Sequence, residues 1–319
     1  MTRVNAGAFN TGEGCRFEPS VMTVGKFEGL HRGHQKLLGQ LKKISCCLNL
    51  PTAVLTFDPH PFSVLRGGYK PLFTSGEKAR LLEGFGIDVM VECPFDENFM
   101  KTEAEEFIRL IFSGMDCRSL VVGEGFRYGY GKRGDIGLLR EKAVSYGAGL
   151  VVLENEMIGA AGVLGQKIST QTIREHIAGS DFKKAEELLG FPYFAMGEVV
   201  RGNNLGASMG YPTINILPED GKLLPADGVY ATETRLDGGR SRGRYGGVTN
   251  VGFAPTVAEK DGGRRIETYL FGFTETAYGL TAEVIFRERL RGEIKFSSLE
   301  ELAEQIGRDE KKAREILHL

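Results

Sequence analysis

Short apolar runs and longer amphipathic stretches alternate along the first half of the chain. The runs Val21–Val24, Thr52–Phe57, Asp88–Cys93, Ser119–Gly123 and Leu150–Leu153 predict strands. Between them, Leu37, Leu38 and Leu41 recur on one helical face. Thr74-x-x-Glu77 and Thr102-x-x-Glu105 have the spacing of capping boxes, in which a hydroxyl and a carboxylate satisfy each other's backbone N–H groups. Strands alternating with helices predict a parallel sheet with helices on both faces. Ligands of such sheets bind beyond the carboxyl ends of the strands.

The rhythm changes after residue 170. Two short helices are predicted over "TQTIREHIA" (170–178) and "DFKKAEELLG" (181–190), and Gly190-Phe-Pro192 ends the helical pattern. Strand-like runs then recur at 194–201, 228–236, 243–252, 265–273 and 281–288, divided by Gly-rich turns. That spacing predicts an antiparallel barrel or sandwich. Ser298-x-x-Glu301 caps a last helix with Leu299, Leu302, Ile306, Ala313 and Leu317. A boundary near 185–192 gives domains 1–188 and 189–319.

A length of 319 residues fits two domains. A net charge of -2, with both signs spread along the chain, leaves no nucleic-acid footprint. No apolar run approaches the ~18 residues of a membrane span. The opening "MTRVNAGAFNTGEGC" lacks the apolar core of a signal peptide, so a cytoplasmic protein is expected. Of the five cysteines (Cys15, Cys46, Cys47, Cys93, Cys117), none lies in a C-x-x-C, which speaks against zinc clusters and disulfide frameworks.

The chemistry starts with "GKFEGLHRGHQ" (25–35), which leaves the first strand and enters a helix. Helix N-termini present unpaired N–H groups and partial positive charge. A Gly-rich approach lets a phosphate reach them, and His31 and His34 add side-chain donors. A Gly-rich turn with two surface histidines is the plain alternative. "TFDPHP" (56–61) ends the second strand at the same rim, and "ISTQTIRE" (168–175) places Arg174 one turn into a helix. Gly129-x-Gly131-x-x-Gly134 fits a dinucleotide fingerprint in letters only, because it does not follow a strand directly.

In the second half, "GEVVRGNNLGASMGYPTINI" (197–216) spaces Gly202, Gly206 and Gly210 ahead of Pro212-Thr213-x-Asn215. Thr213 and Asn215 alternate along a strand and share a face. A hydroxyl and an amide oxygen suit a hard cation such as Mg²⁺. A Gly-rich hairpin with a polar strand face is the alternative.

The opening loop, TFDPHP, "VVGEGFRYGYGKRGD" (121–135) and ISTQTIRE, in this order, resemble the adenylyltransferase half of bacterial bifunctional riboflavin kinase/FAD synthetases. The 197–216 stretch, "GGVTNVGFAPTV" (246–257), "IETYLFGF" (266–273) and "LRGEIKFSSLEEL" (290–302) resemble the flavokinase half. The resemblance implies a nucleotidylyltransferase-like α/β domain followed by a flavokinase β-barrel. In the first, Gly25, Phe27, His31, Gly33, His34, Ser169 and Arg174 would bind ATP, with His31, His34 and Arg174 serving catalysis. Asp58, His60, Pro61, Phe126 and Arg127 would bind FMN. In the second, Gly202, Gly206, Gly210, Pro212, Thr213 and Asn215 would bind ATP, with Thr213 and Asn215 on Mg²⁺. Asn250, Gly252, Pro255, Thr256 and Arg291 would bind the flavin, and Glu267 would be the general base.

The chain departs from the family pattern at four places. Glu28 stands for the usual Asp, Gly125 for Asp or Asn, Gln171 for Thr and Ala207 for Arg. The expected function is phosphorylation of riboflavin to FMN and adenylylation of FMN to FAD, with ATP as co-substrate. The first three departures motivate an alternative, a riboflavin kinase with an impaired first domain. A non-catalytic flavin or nucleotide sensor is a third reading. The expected partners are small molecules, with no nucleic acid and no membrane, in a monomer or weak homo-oligomer.

Overall fold

The computed structural model describes residues 1–6, 17–154, 168–202, 206, 209–238, 241–253 and 264–319, with Arg66 and Phe253 as backbone alone. Pro255 and Thr256 lie outside the described residues. Packing divides the chain into two units, Met1–Thr170 and Gln171–Leu319.

In the first unit, each apolar run becomes a strand: β2 (Ser20–Val24), β3 (Thr52–Asp58), β4 (Val89–Pro94), β5 (Cys117–Gly123) and β6 (Gly149–Leu153). A further strand, β1 (Thr2–Asn5), pairs in parallel with β4 at the sheet edge and was not expected. The parallel order is β1-β4-β3-β2-β5-β6. The chain moves outward from β2 through β3 to β4, then returns to the other side of β2 with β5. Strand order therefore reverses between β2 and β5, and at such a point the connections diverge and leave a crevice at the carboxyl ends.

Helix α1 (Arg32–Leu48) follows β2 and buries Leu37, Leu38 and Leu41, as the pattern predicts. α2 (Pro61–Arg66) and α3 (Ser75–Gly84) follow β3. The Thr74 capping box is formed in both directions, with Thr74 N–H donating to Glu77 at 2.9 Å. α4 (Glu97–Met100) precedes α5 (Ala104–Arg109), which runs on as a π-helical turn, and α6 (Ile136–Ser145) precedes β6. The Thr102 capping box does not form; the N-cap of α5 is Glu103, without a side-chain bond. The Thr102 carbonyl instead accepts the Tyr130 N–H at 2.7 Å, which holds residue 102 in a loop contact. Met22, Val24, Leu55, Leu120 and Val122 form a core with Phe107 and Ile108 of α5 and Leu139 of α6.

The second unit begins with α7 (Thr170–Ala178) and α8 (Phe182–Leu189). Its six antiparallel strands close into a barrel: β7 (Phe194–Val200), β8 (Thr213–Pro218), β9 (Gly228–Asp237), β10 (Gly243–Phe253), β11 (Arg264–Leu270) and β12 (Thr281–Arg291). The closed order is β10-β11-β8-β7-β12-β9. By packing this unit also takes in residues 171–188, and the aromatic contacts of α8 explain why. Phe182 stacks on Phe286 at 5.5 Å and meets Tyr230 edge-on, and Arg287 pairs with Glu186. α9 (Leu299–Leu317), capped by Ser298 as predicted, brings Ala313 against Val229, Ala231 and Val248. Among the described residues, no helix is long and apolar enough to cross a membrane.

Candidate active sites

β2 ends in a loop held from below. Gly25 N–H donates to the Leu55 carbonyl at 3.1 Å. The Thr56 hydroxyl donates to the Lys26 carbonyl and accepts from the buried Lys78 ammonium at 3.0 Å. Phe27 and Leu30 are buried with φ of 44° and 43°. That left-handed region is unfavourable for side chains of this size and is tolerated where the surroundings over-determine it, often at functional sites. The Phe27 ring lies over Gly25, where an added Cβ would sit 3.1 Å from it, and against His34 at 5.2 Å.

His31 is the N-cap of α1, but its side chain caps nothing, and the first turn carries no acidic residue. The N-terminus of this four-to-five-turn helix therefore has neither a cap from the His31 side chain nor an acidic first-turn residue to offset its positive dipole. His31 and His34 stack at 3.9 Å, and the Nδ1 of each is buried with no protein partner among the described residues. Gly33, between them, is buried. Burial lowers the His31 pKa to about 4, and burial together with the nearby His31 takes His34 well below its ordinary value. Both imidazoles are therefore neutral at pH 7. Unpartnered buried ring nitrogens beside a helix N-terminus are chemically suited to an anion.

These shifts fix a pH dependence. Between pH 4 and 6.5 the unfolded chain, with His31 at its ordinary value of 6.5, holds more protons than the folded one. The stability contribution is complete above pH 6.5 and is lost as pH falls toward 4; His34 acts in the same direction. The first unit of the parent is expected to lose thermal midpoint between pH 7 and 5 more steeply than a His31→Asn/His34→Asn variant. Melting curves across that range check this, and parallel slopes would refute it.

Beside this loop, Glu28 is buried, its Oε2 accepting the Tyr69 hydroxyl at 2.6 Å and its Oε1 the Leu72 N–H at 3.3 Å. His60, the N-cap of α2, accepts the Phe62 N–H at Nδ1 and turns Nε2 to Glu28 at 3.4 Å. The Tyr69 ring stacks on His60 at 4.9 Å. His60 and Pro61 are buried and Asp58 is exposed at the end of β3. At the end of β5, Phe126 stacks on Tyr128 at 5.4 Å and Arg127 is exposed. Gly125 is exposed, and a Cβ there would meet nothing, so its lost side chain imposes no steric change. The Gly129–Gly134 stretch is glycine-rich for packing: a Cβ at Gly129 would strike the Ala104 backbone, and one at Gly134 the Tyr128 ring. Ser169 is half-buried ahead of α7. Arg174, half-buried, lies on α7 in the second unit, and its phosphate role rests on the resemblance alone.

In the barrel, β10, β11 and β8 are adjacent, and Asn250, Glu267 and Asn215 lie directly opposite one another across them. Directly opposed residues share a face, and buried Thr249, Thr268 and Ile214 occupy the other, interior face. The Thr213 hydroxyl donates to Glu267 Oε1 at 2.7 Å. That bond uses the only Thr213 proton and leaves its oxygen lone pairs for another ligand. Gly202 lies against the Asn215 amide so closely that a Cβ would overlap it. Gly206 packs on the Tyr211 carbonyl, and its own carbonyl accepts the Tyr211 N–H at 2.9 Å. Gly210 takes φ +85° in open space, and Pro212 is exposed. Gly252 is buried with the Glu293 carboxylate against its Cα. Arg291 pairs with buried Asp309 of α9, with Nη2 2.8 Å from Oδ2, so its guanidinium ties the last strand to the helix.

Two family models match the chain: FAD synthetase over residues 15–170 and riboflavin kinase over residues 189–317. The chain is 36% identical over 310 residues to the bifunctional riboflavin kinase/FMN adenylyltransferase of Escherichia coli (strain K12), covering 96% of this chain and 94% of that one. It is 34% identical over 307 residues to the protein of the same name from Bacillus subtilis (strain 168), covering 92% and 91%. Among solved structures, it resembles a Streptococcus pneumoniae chain described as a macrolide-efflux protein, with a TM-score of 0.79, 28% identity and coverage of 98% and 99%.

Proposed function

The chain belongs to the family of bifunctional riboflavin kinase/FMN adenylyltransferases, and from that premise we propose which of its residues carry each of the two reactions. Riboflavin and ATP give FMN and ADP in the barrel unit; FMN and ATP give FAD and pyrophosphate in the parallel-sheet unit. Both domains are present, so a kinase with an impaired first domain is not the favoured reading.

In the barrel, the riboflavin 5′-hydroxyl is a poor nucleophile until its proton is removed. Glu267 accepts that proton as the hydroxyl oxygen bonds to the γ-phosphorus of ATP and the bond to the β-phosphate oxygen breaks. The observation that carries this assignment is the 2.7 Å Thr213–Glu267 bond, on the face that Asn215 and Asn250 share. It orients the carboxylate while the rest of its acceptor capacity stays available. Thr213 and Asn215 are hard oxygen donors and fit Mg²⁺ carried in largely by ATP oxygens. Mg²⁺, when bound, would neutralise charge on the β- and γ-phosphates. Gly202, Gly206, Gly210 and Pro212 shape the ATP loop, and Asn250, Gly252, Pro255, Thr256 and Arg291 the flavin side.

In the parallel-sheet unit the nucleophile is an FMN phosphate, already ionised at neutral pH, so no base is required. The FMN oxygen bonds to the α-phosphorus and pyrophosphate departs. Catalysis here rests on placing the reactants and stabilising charge on the leaving group. His31, His34 and the α1 N–H groups, reached past Gly25, Phe27 and Gly33, supply donors, with Ser169 adding a hydroxyl. Asp58, His60, Pro61, Phe126 and Arg127 form the FMN side. We propose a cytoplasmic enzyme with small-molecule rather than nucleic-acid partners, working as a monomer or weak homo-oligomer; the near-neutral charge supports the absence of a nucleic-acid surface.

The test supplies riboflavin, ATP and Mg²⁺ and separates FMN from FAD by chromatography. Both products are expected in sequence. FMN without FAD, even when FMN is supplied, would restrict the chain to the kinase reaction, and turnover of neither flavin would overturn the proposal.

A further inference from the structure

Glu28 stands where relatives of this loop pattern carry Asp, and the structure shows what the additional methylene reaches. The carboxylate bonds to the 69–72 turn at two points and lies beside His60 at the start of α2. Oε2 accepts from Tyr69 at 2.6 Å and lies 3.4 Å from His60 Nε2, and Oε1 accepts the Leu72 N–H at 3.3 Å. His60 accepts the Phe62 N–H at Nδ1, so in the neutral ring the proton is on Nε2, which lies near the carboxylate but outside hydrogen-bond geometry. Tyr69 closes the triangle by stacking on His60 at 4.9 Å, with the rings 18° from parallel. The turn that brings Tyr69 back passes through Gly67 and Gly68, with φ of +62° and +60°, a conformation that suits glycine.

We propose that Glu28 and Tyr69 are positioning residues for FMN adenylylation: through His60 they fix the FMN side of the site relative to the phosphate-facing histidines. The proposal rests on the adenylyltransferase reading given above. Glu28 lies three residues before His31 in the loop that starts α1, and His60 starts α2, so the triangle links the entries of these two helices. A side chain one carbon–carbon bond shorter, about 1.5 Å, cannot keep both Tyr69 and Leu72 at hydrogen-bond distance. The Asp common in the family is therefore the wrong residue in this chain. A misplacement of about 1 Å in a site that works by alignment can cost about a hundredfold in rate.

The experiment measures kcat and KM for FMN adenylylation and the riboflavin kinase rate of the same chain in the parent, Glu28→Asp, Tyr69→Phe and the double variant. Each single variant is expected to lose about tenfold or more in adenylylation kcat/KM, within the range for alignment effects. The kinase rate should be unchanged, and a thermal midpoint of the first unit within a few degrees of the parent shows that this unit is folded; a variant whose first unit melts well below the parent and loses adenylylation in proportion would assign the loss to folding and refute the positioning role. The double variant should lose little more than either single one, since both changes open the same triangle. Single variants within twofold of the parent, additive losses in the double variant, or equal losses in both activities would each refute the positioning role. A parent that makes no FAD would refute the adenylyltransferase reading itself, and the proposal with it.

Discussion

Replacing Glu267 by Gln is expected to lower riboflavin phosphorylation at least about a hundredfold, the lower end for loss of a general base, with FMN adenylylation retained. The substitution is informative because of what it leaves intact. The Gln amide oxygen can still accept the Thr213 hydroxyl that now bonds to Glu267 at 2.7 Å, so β8 and β11 keep their side-chain link. Asn215 and Asn250 flank position 267 in the same register whichever residue stands there. What disappears is the capacity to take a proton. A fall in kcat with KM for riboflavin nearly constant is the signature of an interaction made only in the transition state. A variant that phosphorylates riboflavin at the parent rate would remove Glu267 from the chemistry. A variant that loses both activities together would point to a folding defect.

The features that local pattern determines were legible in the sequence. Val21–Val24 is apolar because β2 is central in its sheet and buried throughout, and such strands read as continuous apolar runs. The Thr74 box and the Ser298 cap are contained within four residues, and both form. In the Gly129–Gly134 stretch, Gly129 and Gly134 pack closely against Ala104 and Tyr128, a role that the G-x-G-x-x-G letters do not reveal.

What escaped depends on residues far apart in the chain. β1 is a four-residue edge strand whose only apolar member is Val4, and it exists by pairing with β4, more than eighty residues on. The Thr102 box has the right spacing but loses to a contact with Tyr130. Glu28 read as a weakness because its partners, Tyr69 and Leu72, lie more than forty residues away and carry no motif. Asp309 and Glu293, which engage Arg291 and adjoin Gly252, were equally silent. Local motifs are legible because their partners lie within a few residues; side-chain pairs more than forty residues apart are not.

Replacing His34 or His31 by Ala is expected to lower FMN adenylylation about 10²- to 10³-fold, the usual cost of deleting one preorganised donor to developing charge, with the kinase rate unchanged. Three features of the loop make these imidazoles more than surface polar groups. Burial keeps both neutral at pH 7, with His31 titrating at about 4. Each has a buried Nδ1 without a protein partner among the described residues, a cost that folding bears and that a bound phosphate would relieve. They also sit at the first turn of a helix that the His31 side chain does not cap. On the proposed reading, a triphosphate would meet ring nitrogens that are already buried and held in place, and little reorganisation would be needed as pyrophosphate leaves. Because the rings stack at 3.9 Å, deleting one also frees the other, so the double variant should fall well short of the product of the single losses. Asn at either position restores a donor without the ring and should recover part of the rate. Single Ala variants within tenfold of the parent in adenylylation would show that the helix N-terminus alone manages the leaving group, with the two histidines serving only the packing of the loop.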